Sequence, residues 1–213
     1  MAITFYYGSG SPFSWKVWLV LEHKHLPYEF KLMSLQSGDL KKPEYLAINP
    51  RGKVPALTDD GFTIWESAAI AEYLEERYPD RPLLPRDTRD RTIVRRIVIE
   101  ANIYLYPVAR RLFEQTLFRP DGAGDPLRID VALTDLRHEI AYFEETLQGD
   151  CFTSSLSLAD FTLYPMLALL KRLHEKQPQH GTGSLIRPRL AALMQKVEQL
   201  PYFIKTIPPH WKV

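Results

Sequence analysis

The chain has 213 residues, 45% of them hydrophobic and 25% charged, which is the balance of a folded globular protein with a sizeable core and room for one large or two small domains. Its net charge of +1, from 27 basic against 26 acidic residues, gives no field that would hold nucleic acid or an anionic membrane. A single cysteine excludes an internal disulfide and points to a reducing compartment; no basic-then-apolar leader opens the chain and no apolar run is long enough to span a bilayer, so a cytoplasmic location and no membrane partner are expected.

Ile3 to Tyr7 reads as a first strand and Gly8-Ser9-Gly10-Ser11-Pro12 as a loop. A helix follows, with Pro12 in its first turn and Phe13, Val17, Val20 and Leu21 on one face. Leu26-Pro27 ends it, and Tyr28 to Leu32 alternates as a second strand, so the first two strands should be parallel through a right-handed crossover. Residues 39–48 read as a short, weak helix interrupted by Pro43. Val54 to Thr58 and Phe62 to Trp65 flank the hairpin signal Asp59-Asp60-Gly61. Glu66-Ser67 then opens a helix reading AAIAEYLEERY. The sum is βαβ followed by ββα, an α/β thioredoxin-like domain over residues 1–79, with a Pro-rich linker at 80–87.

From residue 88 to 213 every readable pattern is helical, which predicts an all-α domain of at least four helices. The first stripe, Val94 to Leu112, contains Pro107, which offers no N–H to the Ile103 carbonyl and should kink the helix there. Arg119 to Pro126 reads as a loop, and Ile129 to Leu147 as a second stripe ended by Gly149-Asp150. Residues 157–174 are apolar nearly all round, as in a central buried helix, and Ser157-Leu158-Ala159-Asp160 is its capping box. Leu190, Leu193, Met194 and Val197 mark one more helix.

Two features of the stretch Asn49 to Ile70 point beyond scaffolding. Pro55 heads a strand, where its missing N–H leaves neighbouring backbone groups free for another partner. Ser67 sets a hydroxyl and unpaired N–H groups at a helix start, a ready anion site. A peptide beside Val54 and a carboxylate beside Ser67 would satisfy both. In the loop before the first helix, Ser11-Pro12-Phe13-Ser14 stands where a thioredoxin-like fold would carry Cys-x-x-Cys, so dithiol exchange at that place is excluded and hydroxyl donors at a helix N-terminus remain. These suit stabilising a thiolate brought by a ligand. His23 and His25, two residues apart, have no metal-ligand spacing, and no metal site is expected. Cys151 reads as a buried structural residue.

The ordered run VPAL, Asp-Gly hairpin and ES-A-AI-EYL resembles the glutathione-binding half of the cytosolic glutathione S-transferases, and the loop at Ser11 is similar to the SxxSWRV-type motif of the zeta class, with Phe13 where zeta members usually carry cysteine. The resemblance is to bacterial, theta- and zeta-like members of serine type. It implies a cis peptide before Pro55, pairing of the Val54 backbone with the cysteinyl part of glutathione, and a γ-glutamyl end held by Glu66 and Ser67. It implies Ser11 as the catalytic hydroxyl, with Tyr7, Ser9 and Ser14 as rivals. Lys42 aligns with the family's carboxylate-binding lysine, and Lys53 is a second candidate. Phe13, with Tyr104 and Arg111 at i, i+7 on the first helix of the second domain, is expected to wall the electrophile pocket. The implied activity is a detoxification-type transferase that conjugates glutathione, as co-substrate, to small hydrophobic electrophiles. Rivals are a zeta-like, glutathione-dependent isomerase of the maleylacetoacetate type and a non-catalytic binding module. A homodimer is expected, meeting near Trp65, Ala68 and Ala69.

Overall fold

The computed structural model describes residues 2–119 and 124–211. The chain divides into two compact units, one formed by Met1–Leu83 together with Leu200–Val213, the other by Leu84–Gln199.

In the first unit β1 (Ile3–Gly8), α1 (Pro12–His23) and β2 (Tyr28–Met33) form the parallel pair, and β3 (Ala56–Asp59) and β4 (Phe62–Trp65) add the antiparallel hairpin, in the sheet order β2-β1-β3-β4. The predicted βαβ-ββα pattern is therefore the observed one. Alternation along β1 sends Phe5 and Tyr7 to one face, where Tyr7 meets Trp18 of α1 and Phe30 of β2. Tyr6 goes to the other face, against Tyr45, Ala56, Met33 and Ile48. α3 (Ser67–Arg77) packs on α1, and Val17, Leu21, Ile70 and Leu74 are fully buried. The stretch read as one weak helix is a 3₁₀ turn at Asp39–Lys41 and then α2 (Pro43–Leu46), with Pro43 opening α2 because its missing N–H costs nothing in a first turn. β3 begins at Ala56, two residues later than the sequence suggests, since Pro55 has no N–H for the ladder; the Val54–Pro55 peptide is cis.

The sequence reading carried the helical domain to residue 213, whereas the last fourteen residues group with the first unit. Trp15 holds them there. Its indole N–H donates to Thr206 Oγ1 at 3.1 Å, its ring stacks on Phe203, and Trp211 meets it edge-on at 5.2 Å between centroids. Beyond Val197 no apolar period remained from which this return could be read.

The second unit holds α4 (Thr88–Glu100), α5 (Tyr106–Gln115), α6 (Pro126–Thr146), α7 (Leu158–Lys176) and α8 (Pro188–Glu198). Pro107 does not simply kink one long helix. A π turn, Ala101–Leu105, separates α4 from α5, which begins at Tyr106 with Pro107 in its first turn. Of the loop read at 119–126, residues 120–123 lie outside the described residues. α7 is buried almost all round, and its capping box is formed: Asp160 accepts from the Ser157 N–H and hydroxyl, both at 2.7 Å.

Candidate active site

The strand register brings the sequence-predicted residues of the first unit to one end of the sheet. Tyr6 pairs with Ala56, and Ala56 with Trp65. The next residues outward are therefore the loop after Gly8, the Val54–Pro55 peptide, and Glu66-Ser67. Gly8 is in close contact with Val54: a Cβ added there would sit 2.5 Å from Val54 Cγ2, so only glycine lets the two strand ends come this near.

Ser11 is the N-cap of α1, in extended conformation, and its Oγ accepts the Ser14 N–H at 3.3 Å. Its own proton is left to donate. Ser14 is fully buried and accepts the Gly8 N–H at 3.3 Å, so its hydroxyl serves the loop rather than a ligand. Tyr7 is fully buried, and burial pushes its pKa up to about 12 against the opposing pull of the Gly10 N–H and the Ser9 hydroxyl. Ser9 Oγ lies 2.5 Å from His210 Nδ1.

Around Val54 the chain is held by the backbone carbonyl of Lys53, which accepts from Tyr45 Oη at 2.6 Å and Asn49 Nδ2 at 2.7 Å. Val54 itself makes no hydrogen bond among the described residues, so its N–H and C=O are open to an extended peptide. The Lys53 side chain is exposed. Lys42, also exposed, pairs with Asp39 at 2.6 Å on the rim of a cleft of about 300 Å³ shared with Tyr6, Met33 and Tyr45. That hydrogen bond raises the Lys42 pKa and lowers that of Asp39. Such an exposed pair is weak and readily exchanged for another carboxylate.

Glu66 is the N-cap of α3 at φ 68 and ψ 111, a backbone conformation that side chains rarely adopt and that tends to occur where function requires it. Its carboxylate is exposed and unpaired among the described residues, while Ser67 is buried with its hydroxyl unpartnered. The N–H groups of the first α3 turn and this hydroxyl make an anion site, and the Glu66 carboxylate beside them suits an ammonium: together they fit an amino-acid end group.

Lys16 escaped the sequence reading. It is 1% exposed, its Nζ has no hydrogen-bond partner, and burial brings its pKa down to about 7, with the Glu66 charge acting the other way. In sequence it is an ordinary lysine on an amphipathic helix, and no local signal separates it from a solvated one.

In the helical unit Tyr104 lies in the π turn and is 56% exposed. Arg111, on α5, pairs with Asp135 at 2.6 Å. The i, i+7 spacing that put them on one face assumed an unbroken α-helix, which the π turn interrupts. Phe13 is half-buried on α1. Cys151 is buried, and burial raises its pKa to about 11, far from a reactive thiolate.

The family model described as "Glutathione S-transferase, N-terminal domain" matches residues 10–77. The chain is 34% identical over 157 residues to glutathione S-transferase D7 of Drosophila melanogaster, with 72% of this chain and 68% of that one covered. It is 34% identical over 167 residues to probable maleylacetoacetate isomerase 2 of the same species, covering 76% and 71%. Among solved structures, a glutathione S-transferase from the Antarctic clam Laternula elliptica matches at 31% identity with a TM-score of 0.79, covering 100% of this chain and 94% of that one.

Proposed function

Because the chain belongs to the glutathione S-transferase family, we propose that it binds reduced glutathione at this sheet end and joins the sulfur to small electrophiles through a thiolate stabilised by Ser11. The Val54 backbone pairs with the cysteinyl peptide, as strand ends pair with extended ligands. Ser67 and the α3 N-terminus take the γ-glutamyl carboxylate, and Glu66 its ammonium. Lys42 and Lys53 are the cations for the glycine carboxylate, Lys42 by exchanging Asp39 for it. Phe13, two residues after Ser11 on α1, is the residue of this unit proposed to touch the electrophile. The observation that carries this reading is the register-aligned set of free groups: an unpaired Val54 backbone between two helix starts, each with a hydroxyl. A free thiol ionises near pH 8.5, and each unit of depression takes about 1.4 kcal/mol. One hydrogen bond to the charged sulfur, with the α1 N-terminal amides behind it, supplies about one to two units.

The test is retention on immobilised glutathione together with conjugation across a panel of electrophiles. Ser67→Ala and Glu66→Gln are expected to weaken glutathione binding about tenfold while leaving the unfolding midpoint nearly unchanged, in keeping with a hydrogen bond to a charged group. Unchanged affinity in both would put the site elsewhere. A second reading, glutathione-dependent cis–trans isomerisation, is favoured by the identity to the fly isomerase and by the zeta-like loop around Ser11. Turnover of maleylacetoacetate without net loss of glutathione would select it, and retention without turnover of any substrate would select a binding module.

A further inference from the structure

The far end of α1 carries a second opening. Ser11 caps the start of the helix, and Glu22 lies eleven residues on, about 16 Å away along the axis. Tyr28, which begins β2, pairs there with Ile3, at the sheet end opposite Gly8. A cavity of about 460 Å³ lies between residues 22–27 and residues 201–205 of the carboxy-terminal return, all within the first unit, and is of a size that small-molecule sites have.

Most of its lining is apolar: Leu26, Pro27, Pro201 and the ring of Tyr202. The Tyr202 hydroxyl is spent on His23 Nδ1 at 2.7 Å, and His25, also in the lining, is held against the Arg81 guanidinium. One charged pair stands in these walls. Glu22 is 8% exposed. Its Oε1 takes both of its side-chain partners, the Tyr28 hydroxyl and Lys205 Nζ, the latter at 2.7 Å. Its Oε2 accepts no hydrogen bond among the described residues and is not sealed from solvent, whereas buried carboxylate oxygens are ordinarily paired. The Lys205 side chain is 64% exposed, and its ammonium has more protons than the one that Oε1 engages. An open acceptor and an open donor therefore stand side by side on an apolar wall.

The charges decide what fits. An anionic ligand would draw Lys205 away from Glu22 and strand a buried carboxylate. A cationic ligand would meet the Lys205 ammonium beside the oxygen it seeks. A neutral group that donates to Oε2 and accepts from Nζ leaves the pair intact. The NH–C=O edge of a lactam, or of an oxo-purine or oxo-pyrimidine, has this donor–acceptor order, and its planar ring offers apolar faces to the prolines and Tyr202.

We propose that this cavity is a second ligand site, distinct from the sheet end assigned to glutathione, and that it takes neutral heteroaromatic lactams, with the ring N–H on Glu22 Oε2 and the carbonyl on Lys205 Nζ.

The probe is 2-quinolinone, compared with N-methyl-2-quinolinone, which lacks the donor, and with naphthalene-1-carboxylate, an anion of similar size. Calorimetry on the full chain should give saturable binding of 2-quinolinone with a Kd of about 10–100 μM, within reach of a ring of this size. The largest amide shifts should fall in residues 22–26 and 202–205. N-methylation of the probe, Glu22→Gln and Lys205→Met should each weaken binding about tenfold or more, the span of a hydrogen bond to a charged group. Saturating glutathione should leave the affinity within about twofold. No binding below about 1 mM overturns the proposal. So does binding of the N-methyl compound or the naphthalene carboxylate as tight as that of 2-quinolinone, and so do shifts centred elsewhere or competition by glutathione. If Glu22→Gln fails to fold, Lys205→Met, made at a mostly exposed side chain, and the N-methyl comparison decide it: an unchanged affinity in either overturns the proposal.

Discussion

At the scale of single residues the choice of thiol donor turns on access. Tyr7, a rival to Ser11 in the sequence, is fully buried and its phenol is made less acidic by burial. Ser11 is half-buried at a helix start with its proton uncommitted. Ser11→Ala is therefore expected to raise the pKa of bound glutathione by about one to two units, with little change in affinity, and to cut turnover at neutral pH about ten- to a hundredfold if thiolate attack limits the rate. Tyr7→Phe should move the same titration far less; a shift confined to Tyr7→Phe would assign the role to the tyrosine. Lys16 poses the opposite case, a buried amine with no hydrogen-bond partner, its Nζ 6.0 Å from the centre of the Phe13 ring. Its folded pKa of about 7 lies below its ordinary 10.5, so the unfolded chain holds the proton more tightly. Stability is lost as pH falls from about 10.5 towards 7, and below 7 the penalty is full, on the order of 3–5 kcal/mol. Lys16→Met should accordingly raise stability to urea by several kcal/mol at pH 6 and by much less at pH 10. An equal gain at both would mean the amine is not titrating between its two states.

At the scale of elements, helix ends do most of the positioning. The start of α7 depends on Asp160, which is fully buried and satisfies the Phe152 N–H at 3.1 Å as well as the two Ser157 donors. Asp160→Ala would leave three buried donors unpaired, and a loss of about 3 kcal/mol or more is expected by denaturant unfolding, well above the about 0.5–2 kcal/mol of an ordinary cap. A loss under about 1 kcal/mol would mean that water replaces the carboxylate. Burial also raises the Asp160 pKa to about 6 despite those hydrogen bonds, so its ionised form is held at a cost that grows as pH rises from the ordinary carboxylate range to 6. The capping box was legible in sequence because its four residues are contiguous and open the most apolar run of the chain. The strands and the Asp59-Asp60-Gly61 hairpin were legible for the same local reason. The π turn was not, since the choice between a kink and a widened turn at Pro107 depends on what packs around it. Nor was the strained backbone of Glu66, because glutamate carries no preference for positive φ and the conformation is imposed by the strand and helix on either side.

At the scale of the whole molecule we propose an isologous homodimer in which Trp65, Ala68 and Ala69, half-buried or exposed in the isolated chain, are covered by a second copy. Sedimentation at micromolar concentration should give a species of about twice the 24.7 kDa chain mass, and a species of chain mass would overturn the proposal. Sequence periodicity divided the chain into an α/β half and a helical half, but it could not see that Phe203, Thr206 and Trp211 return to Trp15, because that pairing spans almost two hundred residues and leaves no local pattern. The return also orders events in time. As the chain leaves the ribosome, the 116 residues of Leu84–Gln199 are all made before the last strap of the earlier unit exists. During that interval the Trp15 indole has no Thr206 to accept its N–H and no Phe203 against its ring. The glutathione-binding half is thus begun first and finished last, and a nascent chain stalled anywhere before Leu200 would present an open tryptophan slot to chaperones and proteases.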